Sequence, residues 1–325
     1  MGQSETKTLT VADDQAGQTV AALLRALVPG SSWNEARRLI AVRRVRLNGE
    51  LILDPARRVK GGDVFELLAR PLPPPRHGDA LVVRHLDEHL VVVEKPSGIS
   101  TVRHPAERDW TARRKALSPT LEDLVPHHIR RLEGRHQKGP PPRLRAVHRL
   151  DKATSGLLVF ARTVAAERGL GRQFHRHTVT RRYLAVVPGV VESQTVRTFL
   201  VRDRGDGRRG SAQTESGKDS ITHIEVVERL PGHTLLSCRL ETGRTHQIRI
   251  HLAELGHPVC GEKVYTRSTT GGVLPDYSGA PRLALHAAEL GFLHPLTGEA
   301  MHWEMPLPDD LDEFLRQLRG RGETT

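Results

Sequence analysis

The chain is poor in cysteine, in aromatic residues and in long apolar runs, and each shortage excludes something. Only Cys238 and Cys260 occur in 325 residues, so neither a disulfide framework nor a Cys-x-x-Cys motif is available. That usage suits a reducing, cytoplasmic setting. No segment approaches the ~18 consecutive apolar residues of a membrane span. Residues Met1 to Asp14 have neither the apolar core of a secretory signal nor the Arg-rich, acid-poor character of a transit peptide. No His-Glu-x-x-His pair and no Cys/His cluster at zinc-ligand spacing occurs. His175 and His177 stand two apart in a stretch that reads as helix, so no metal site is expected. Carboxylates are also scarce relative to cations: 49 Lys and Arg against 38 Asp and Glu give a formal charge of +11 and a pI near 10.3. Such a balance points to a polyanionic partner, nucleic acid before membrane.

The length suffices for about two domains. Residues 1–15 read as a loose leader. From Thr19 to Leu27, Val20, Leu23, Leu24 and Leu27 recur at helical spacing, and Pro29-Gly30 stops the helix. Ser32-Trp33-Asn34-Glu35 is a capping box opening a second helix with Ala36, Leu39 and Ile40 inward. Val45 and Leu47 alternate with Arg44 and Arg46, Asn48-Gly49 is a hairpin turn, and Leu51 and Leu53 return. Two short helices feeding a small sheet make an α/β module over residues 16–70. Its cluster of Arg37, Arg38, Arg43, Arg44 and Arg46 suits a surface that tracks phosphates rather than reads bases. A stiff Pro-rich linker covers 71–79, and a second domain runs from 80 to 325.

In that second domain, strands come in adjacent runs joined by short turns: Leu81 to Val83, Leu90 to Val93, Thr180 to Val187, Ile221 to Leu230 with Thr234 to Leu240, and Leu283 to Leu293 with Met301 to Pro306. Helices are few. Thr163 caps one. Another carries Ile248, Leu252 and Leu255 on one face and ends at Gly256. Asp309 caps the last, which turns Leu311, Phe314, Leu315 and Leu318 inward. This pattern predicts an α+β fold with a mixed, largely antiparallel sheet. The basic stretch 102–143 is irregular; Leu121 to Leu132 reads as partly helical, kinked or broken at Pro126.

The chemistry centres on His148-Arg149-Leu150-Asp151-Lys152-Ala153-Thr154-Ser155-Gly156, which leads into the apolar run Leu157 to Ala161. That run suits a fully buried strand. A carboxylate at its mouth, flanked by Arg149 and Lys152, stays ionised. Taken alone, Asp151 reads first as a structural residue capping a turn before the strand. The run resembles the signature of the RluA-type pseudouridine synthases, in which the catalytic aspartate follows His-Arg-Leu and precedes Thr-Ser-Gly. Three further stretches resemble the same family in the same order: Lys95-Pro96-Ser97-Gly98-Ile99, Arg182-Tyr183-Leu184-Ala185-Val186, and Leu240 through Gly243-Arg244-Thr245-His246-Gln247-Ile248-Arg249 to Leu252, continuing to Gly261 and Tyr265. The likeness covers roughly residues 80 to 308. Residues 17 to 70 resemble the S4 RNA-binding domain.

The resemblance implies a mixed sheet with an active-site cleft across its middle, and conversion of uridine to pseudouridine within RNA. Ribosomal RNA is the first expectation and transfer RNA the second, acted on by a monomer. Nothing is oxidised and no group is imported, so no cofactor is expected. Asp151 is expected as the catalytic carboxylate. It adds to C1′, adds to uracil C6, or removes the C2′ proton; the residues leave the three open. The family's pattern makes Arg249 its ion-pair partner, which favours and orients the carboxylate. It makes Tyr183 the ring that stacks on the uracil, with its hydroxyl near the proton at C5. Further candidates for RNA contact are Arg149 and His148 beside the aspartate, Lys95 near the cleft, and Arg244 and Thr245 at a helix start suited to phosphate. Two other readings stand beside this one. A silent RNA-binding factor would keep the fold without the activity. A hydrolase of the same bond would need a second carboxylate, for which Glu241 is the nearest in these motifs.

Overall fold

The computed structural model describes residues 6–28, 30–72, 81–134, 142–212, 214, 216–266, 272 and 274–321. Pro29, nearly all of the predicted linker and part of the basic stretch lie outside these. The chain divides into two compact units, residues 1–75 with 111–118, and 76–110 with 119–325.

In the first unit a four-stranded antiparallel sheet has the order β1 (Lys7–Thr10), β4 (Val64–Leu67), β2 (Val45–Leu47), β3 (Glu50–Leu51). Two helices, α1 (Val20–Leu27) and α2 (Trp33–Ala41), cover it. Their apolar stripes, Val20, Leu23, Leu24, Ala36, Leu39 and Ile40, meet Val45, Leu47, Phe65 and Leu67 in one core. Asn48 and Gly49 both take positive φ (53° and 75°), as a tight hairpin turn requires. Three expectations change. Residues 7–10 are not loose leader but an edge strand paired with β4, Leu9 opposite Phe65, which satisfies backbone groups that β4 would otherwise leave unpaired. The capping box is half made: the Ser32 hydroxyl accepts the Glu35 N–H at 3.1 Å, while the Glu35 carboxylate turns to Arg38 at 3.8 Å. Residues 111–118, expected with the second domain, group with this unit through α3 (Ala112–Leu117), where Arg114 bonds the Leu53 carbonyl and Arg43 the Leu117 carbonyl.

The second unit is built on one large sheet. Its strands are β5 (Val82–Leu86), β6 (Leu90–Lys95), β7 (Arg145–Ala146), β8 (Ser155–Ala161), β9 (Thr180–Pro188), β10 (Gln194–Val201), β11 (Gly210–Ser211), β12 (Lys218–Leu230), β13 (His233–Leu240), β14 (Leu285–Leu293) and β15 (Ala300–Glu304). The order is β11-β10-β12-β13-β9-β14-β8-β6-β5, with β15 on β14 and β7 on β8. Among the described residues only the pairing of β14 with β8 is parallel, so the sheet is mixed and largely antiparallel. Every residue of β8 is buried. Successive side chains alternate between faces, so Leu158 and Phe160 join one core with Leu121, Val125 and Ile129 of α4 (Leu121–Leu132). Leu157 and Val159 join another with Ala166 and Leu170 of α5 (Val164–His175). Both faces of this strand are covered, which is why its sequence is uniformly apolar.

Helix α4 runs unbroken through Pro126. The missing N–H forfeits the bond to the Glu122 carbonyl, but Leu121, Val125 and Ile129, each fully buried, hold the helix against the sheet. Helix α6 (Gln247–Glu254) was expected to show one apolar face; instead every residue from Gln247 to Ala253 is buried. The last helix, α7 (Asp309–Gly320), is capped by Pro308, with Asp309 already inside its first turn.

Candidate active site

Asp151 sits in the loop that enters β8, and that loop is fastened by the segment leaving β6. The Lys95 Nζ donates to the carbonyls of Thr154 (2.6 Å), Pro96 (3.0 Å) and Lys152 (3.2 Å). Ser97 Oγ donates to the Ala153 carbonyl at 2.6 Å, the Gly98 N–H to that of Lys152 at 2.7 Å, and Thr101 Oγ1 to that of Leu150 at 2.9 Å. Four of the five carbonyls from Leu150 to Thr154 are thus held by residues 95–101, and the Asp151 carbonyl takes the Thr154 N–H at 3.1 Å. At the far end of the loop Gly156 has φ +124° and passes so close to β14 that a Cβ would lie 2.2 Å from the Ala287 oxygen. Only glycine fits there.

The Asp151 side chain is 15% exposed, and its two nearest cationic or imidazole neighbours come from α6 and the residue that precedes it. Arg249 Nη1 is 3.5 Å from Oδ2, and His246 Nε2 is 3.8 Å from Oδ1. Neither is a full hydrogen bond. Arg249 gives its closest bonds to Glu262, Nε to Oε2 and Nη2 to Oε1, both 2.7 Å. The planar fork is fixed by that carboxylate, and its remaining nitrogen is turned toward Asp151. Burial pulls the guanidinium down, but the charge and hydrogen bonds of Glu262, with Asp151, carry it above its ordinary range. Burial pushes Glu262 up, but Arg249 and the Val264 N–H bring it below the usual carboxylate value. Both partners are therefore ionised. His246 precedes α6 in the left-handed region (φ 61°), uncommon for a side chain with a Cβ. Its Nδ1 meets the Tyr265 hydroxyl at 2.8 Å, which fixes the ring with Nε2 toward Asp151. Tyr183, on β9 opposite Cys238 and Ala287, has a buried ring; burial pushes its phenol up, Arg181 opposes this, and the charge of Asp151 adds to it.

Residues 89–254 match the family described as RNA pseudouridylate synthase, and residues 20–65 match the S4 domain. Ribosomal large subunit pseudouridine synthase D of Nitrosomonas europaea is 36% identical over 321 residues, covering 96% of this chain and 87% of that protein. The chain belongs to the RluA-type RNA pseudouridine synthases. The protein of the same description from Zymomonas mobilis is 35% identical, over 96% of this chain and 98% of its own. Human RNA pseudouridylate synthase domain containing 4 shares the fold, with a TM-score of 0.56 at 23% identity over 73% of this chain and 92% of that one. The enzyme is an isomerase that acts on RNA.

The synthase places the other expected residues unevenly. Lys95, expected to contact RNA, is 1% exposed with its three donors spent on backbone carbonyls. Burial pushes its ammonium down to about 7, against the pull of Asp151. His148, expected to brace the loop at the RNA site, stacks on Phe174 at 4.6 Å and accepts the Val159 N–H at 3.1 Å. Burial pushes its imidazole down to about 3, so it stays neutral and braces the loop. Arg149 is exposed. Arg244 donates its Nε to the Asp219 carbonyl at 3.1 Å, and Thr245 follows it at the approach to α6. In the first unit Arg37 and Arg38 are exposed on α2 and Arg46 is half-buried on β2, whereas Arg44 spends its Nε on the Leu68 carbonyl at 2.7 Å. Glu241 pairs with His223 at 2.6 Å.

Sequence reasoning missed Glu262, His246 and, as a partner, Tyr265. The Thr-His-Gln run and Tyr265 stood inside the quoted motif, but nothing local marked Glu262. Among the described residues, one group, Glu289, His302 and Glu304, has metal-like spacing; Arg182 already pairs with both carboxylates, so it is an ion-pair network. No helix among the described residues is long and apolar enough to cross a membrane.

Proposed function

We propose that Asp151 is the catalytic carboxylate for isomerising uridine in ribosomal RNA, with Arg249 holding its charge and Tyr183 against the uracil ring. The observation that carries this reading is the state of the Asp151 carboxylate. It is mostly shielded, faces a fixed guanidinium nitrogen at 3.5 Å, and among the described residues accepts no hydrogen bond at ordinary length. Its lone pairs are available to a substrate. In the reaction the N1–C1′ bond breaks, the uracil turns, and C5 bonds to C1′ while the C5 proton is lost and N1 gains one. Atoms balance without an oxidant or donor. Attack at C1′, attack at C6 and removal of the C2′ proton all use the same ionised carboxylate. The target base must leave its stack to reach it.

Ribosomal RNA comes first because the relatives matched over nearly their whole length are described as ribosomal large subunit synthases. Transfer RNA comes second. The same reading makes the protein a monomer working in the cytoplasm. A hydrolase would need a second, protonatable carboxylate; Glu262 is the near one, and it is locked ionised on Arg249. Carbodiimide-based pseudouridine mapping on unmodified large-subunit ribosomal RNA tests the proposal. New stops with the parent protein and none with Asp151→Asn are expected. Equal stops with both would remove Asp151 from the chemistry, and free uracil as product would replace the isomerase by the hydrolase.

A further inference from the structure

We propose that a basic pocket beside the active site binds one backbone phosphodiester of the RNA strand next to the target uridine. This deepens the catalytic reading above and rests on it. The pocket is a cavity of about 450 Å³ walled by Arg202, Arg209, Lys218 and Arg244, with the hydroxyl-bearing Ser216 and Thr245. Among the described residues, no Asp or Glu lines it. Among the described residues, no carboxylate lies within ion-pair distance of these four cations. Their neighbours differ: Arg197 pairs with Asp219 at 3.1 Å, and Arg204 and Arg208 share Asp206. Among the described residues, the four cations that wall the cavity thus differ from these neighbours in having no carboxylate partner. Four like charges around so small a space repel one another, and an anion seated among them removes that repulsion.

The ligand class follows from the wall. Arg244 is anchored through its Nε on the Asp219 carbonyl at 3.1 Å, which leaves its terminal nitrogens to serve as a fork. Guanidinium forks match phosphate oxygens. Leu200, Val201 and Ile250 supply an apolar side against which a sugar or base can pack. Position ties the pocket to this strand. Thr245 directly precedes His246, whose Nε2 is 3.8 Å from Asp151, and successive Cα atoms are only about 3.8 Å apart. Arg209 is near enough for its charge to act on the Tyr265 phenol, which itself holds His246. An RNA strand with its uridine at Asp151 thus brings a neighbouring phosphate within reach of the cavity.

The test is filter binding of unmodified large-subunit ribosomal RNA to the full chain across a salt series. Parent, Arg202→Ala/Arg209→Ala/Lys218→Ala and the corresponding triple Lys218→Arg/Arg202→Lys/Arg209→Lys variant are compared. One single-strand phosphate contributes about 0.7 to the slope of log K against log[salt], which at 0.1 M salt is roughly a fivefold affinity term. The alanine triple is expected to lose about that slope and that affinity, and the charge-conserving triple to recover both. Circular dichroism melting of all three shows that the fold is kept. Once a uridine is mapped, a methylphosphonate beside it should weaken binding to the parent and leave the alanine triple unaffected. An unchanged slope in the alanine triple overturns the pocket, as does a methylphosphonate penalty equal in both proteins, or a parent that shows no salt-dependent binding. Product retained in Asp151→Asn with the parental slope overturns the catalytic reading alone, so the two failures are distinguishable.

Discussion

Replacing Arg249 by methionine separates what the buried ion pair does for the fold from what it does for the reaction. The side chains of Arg249 and Glu262 are 8% and 1% exposed, joined by two 2.7 Å bonds. Arg249→Met strands the Glu262 carboxylate in an apolar site, and breaking a buried pair in this way costs about 3–5 kcal/mol. For a domain of this size each kcal/mol moves the melting temperature roughly 2–4 °C, so a fall on the order of 10 °C is expected. Arg249→Met/Glu262→Gln removes the stranded charge. The glutamine oxygen can still accept the N–H groups of Lys263 and Val264, at 2.9 and 2.8 Å in the parent. Since exchanging both members of a buried pair is often close to neutral, the double variant should regain most of the lost stability, to within about 1–2 kcal/mol of the parent. Activity should not return. Asp151 has lost its guanidinium in both variants, and loss of one preorganised electrostatic partner reduces turnover on the order of 10²-fold or more. Thermal melting by circular dichroism and pseudouridine formation on the same preparations read the two effects. A double variant no more stable than the single one would refute the argument that Glu262 is stranded. A double variant stable and fully active would make Arg249 purely structural.

Two further predictions concern the frame around the site. His251 and His286 are fully buried, and burial pushes each imidazole down to about 4 from the usual 6.5. The unfolded chain therefore binds more protons between pH 6.5 and 4, so stability present above pH 6.5 is lost as pH falls through that window, by up to about 3 kcal/mol for each residue at pH 4. Urea midpoints should drop from pH 7 to pH 5, and a flat profile sinks the idea. Gly156→Ala must push β8 away from β14, because its Cβ would meet the Ala287 oxygen at 2.2 Å, whereas Gly256 has positive φ (+86°) but nothing within 4 Å of a Cβ. Loss of roughly 3 kcal/mol or more is expected for Gly156→Ala and about 1 kcal/mol for Gly256→Ala; equal losses would show that the close approach is not what requires the glycine.

Local rules made much of the fold legible. The stripes of α1 and α2, the Asn48-Gly49 turn and the all-apolar β8 follow from periodicity and turn chemistry, and each depends on residues near one another in the chain. What sequence did not show depends on distant partners. Residues 7–10 have little apolar pattern, and only the open edge of β4, more than fifty residues later, makes them a strand. Pro126 argues locally for a break, and the packing of Leu121, Val125 and Ile129 overrides it. Helix α6 looks amphipathic because polar residues alternate with Ile248 and Leu252. Yet Gln247 reaches Ile221 and Thr222 on β12, Arg249 reaches Glu262, and His251 reaches Thr198 and Thr222. A sequence shows that a side chain is polar; whether it is exposed or buried with a partner is decided by the fold.

That distinction also separates the candidates for chemistry from the residues that brace them. Lys95 and His148 belong to the motifs as plainly as Asp151 does, but the donors of Lys95 are spent on carbonyls and His148 is stacked, neutral and bonded to Val159. Glu262 is saturated by Arg249 and by backbone N–H groups, and His246 is oriented by Tyr265. Asp151 is the member of this group whose oxygens are close to charge yet short of a hydrogen bond. A saturated surround restrains its position, and its unspent acceptors are what a substrate sugar or base can engage. If Asp151 were only a turn residue, its carboxylate should bond its own loop. Instead, among the described residues, no N–H of the loop donates to it, and the carboxylate is left facing Arg249 and His246.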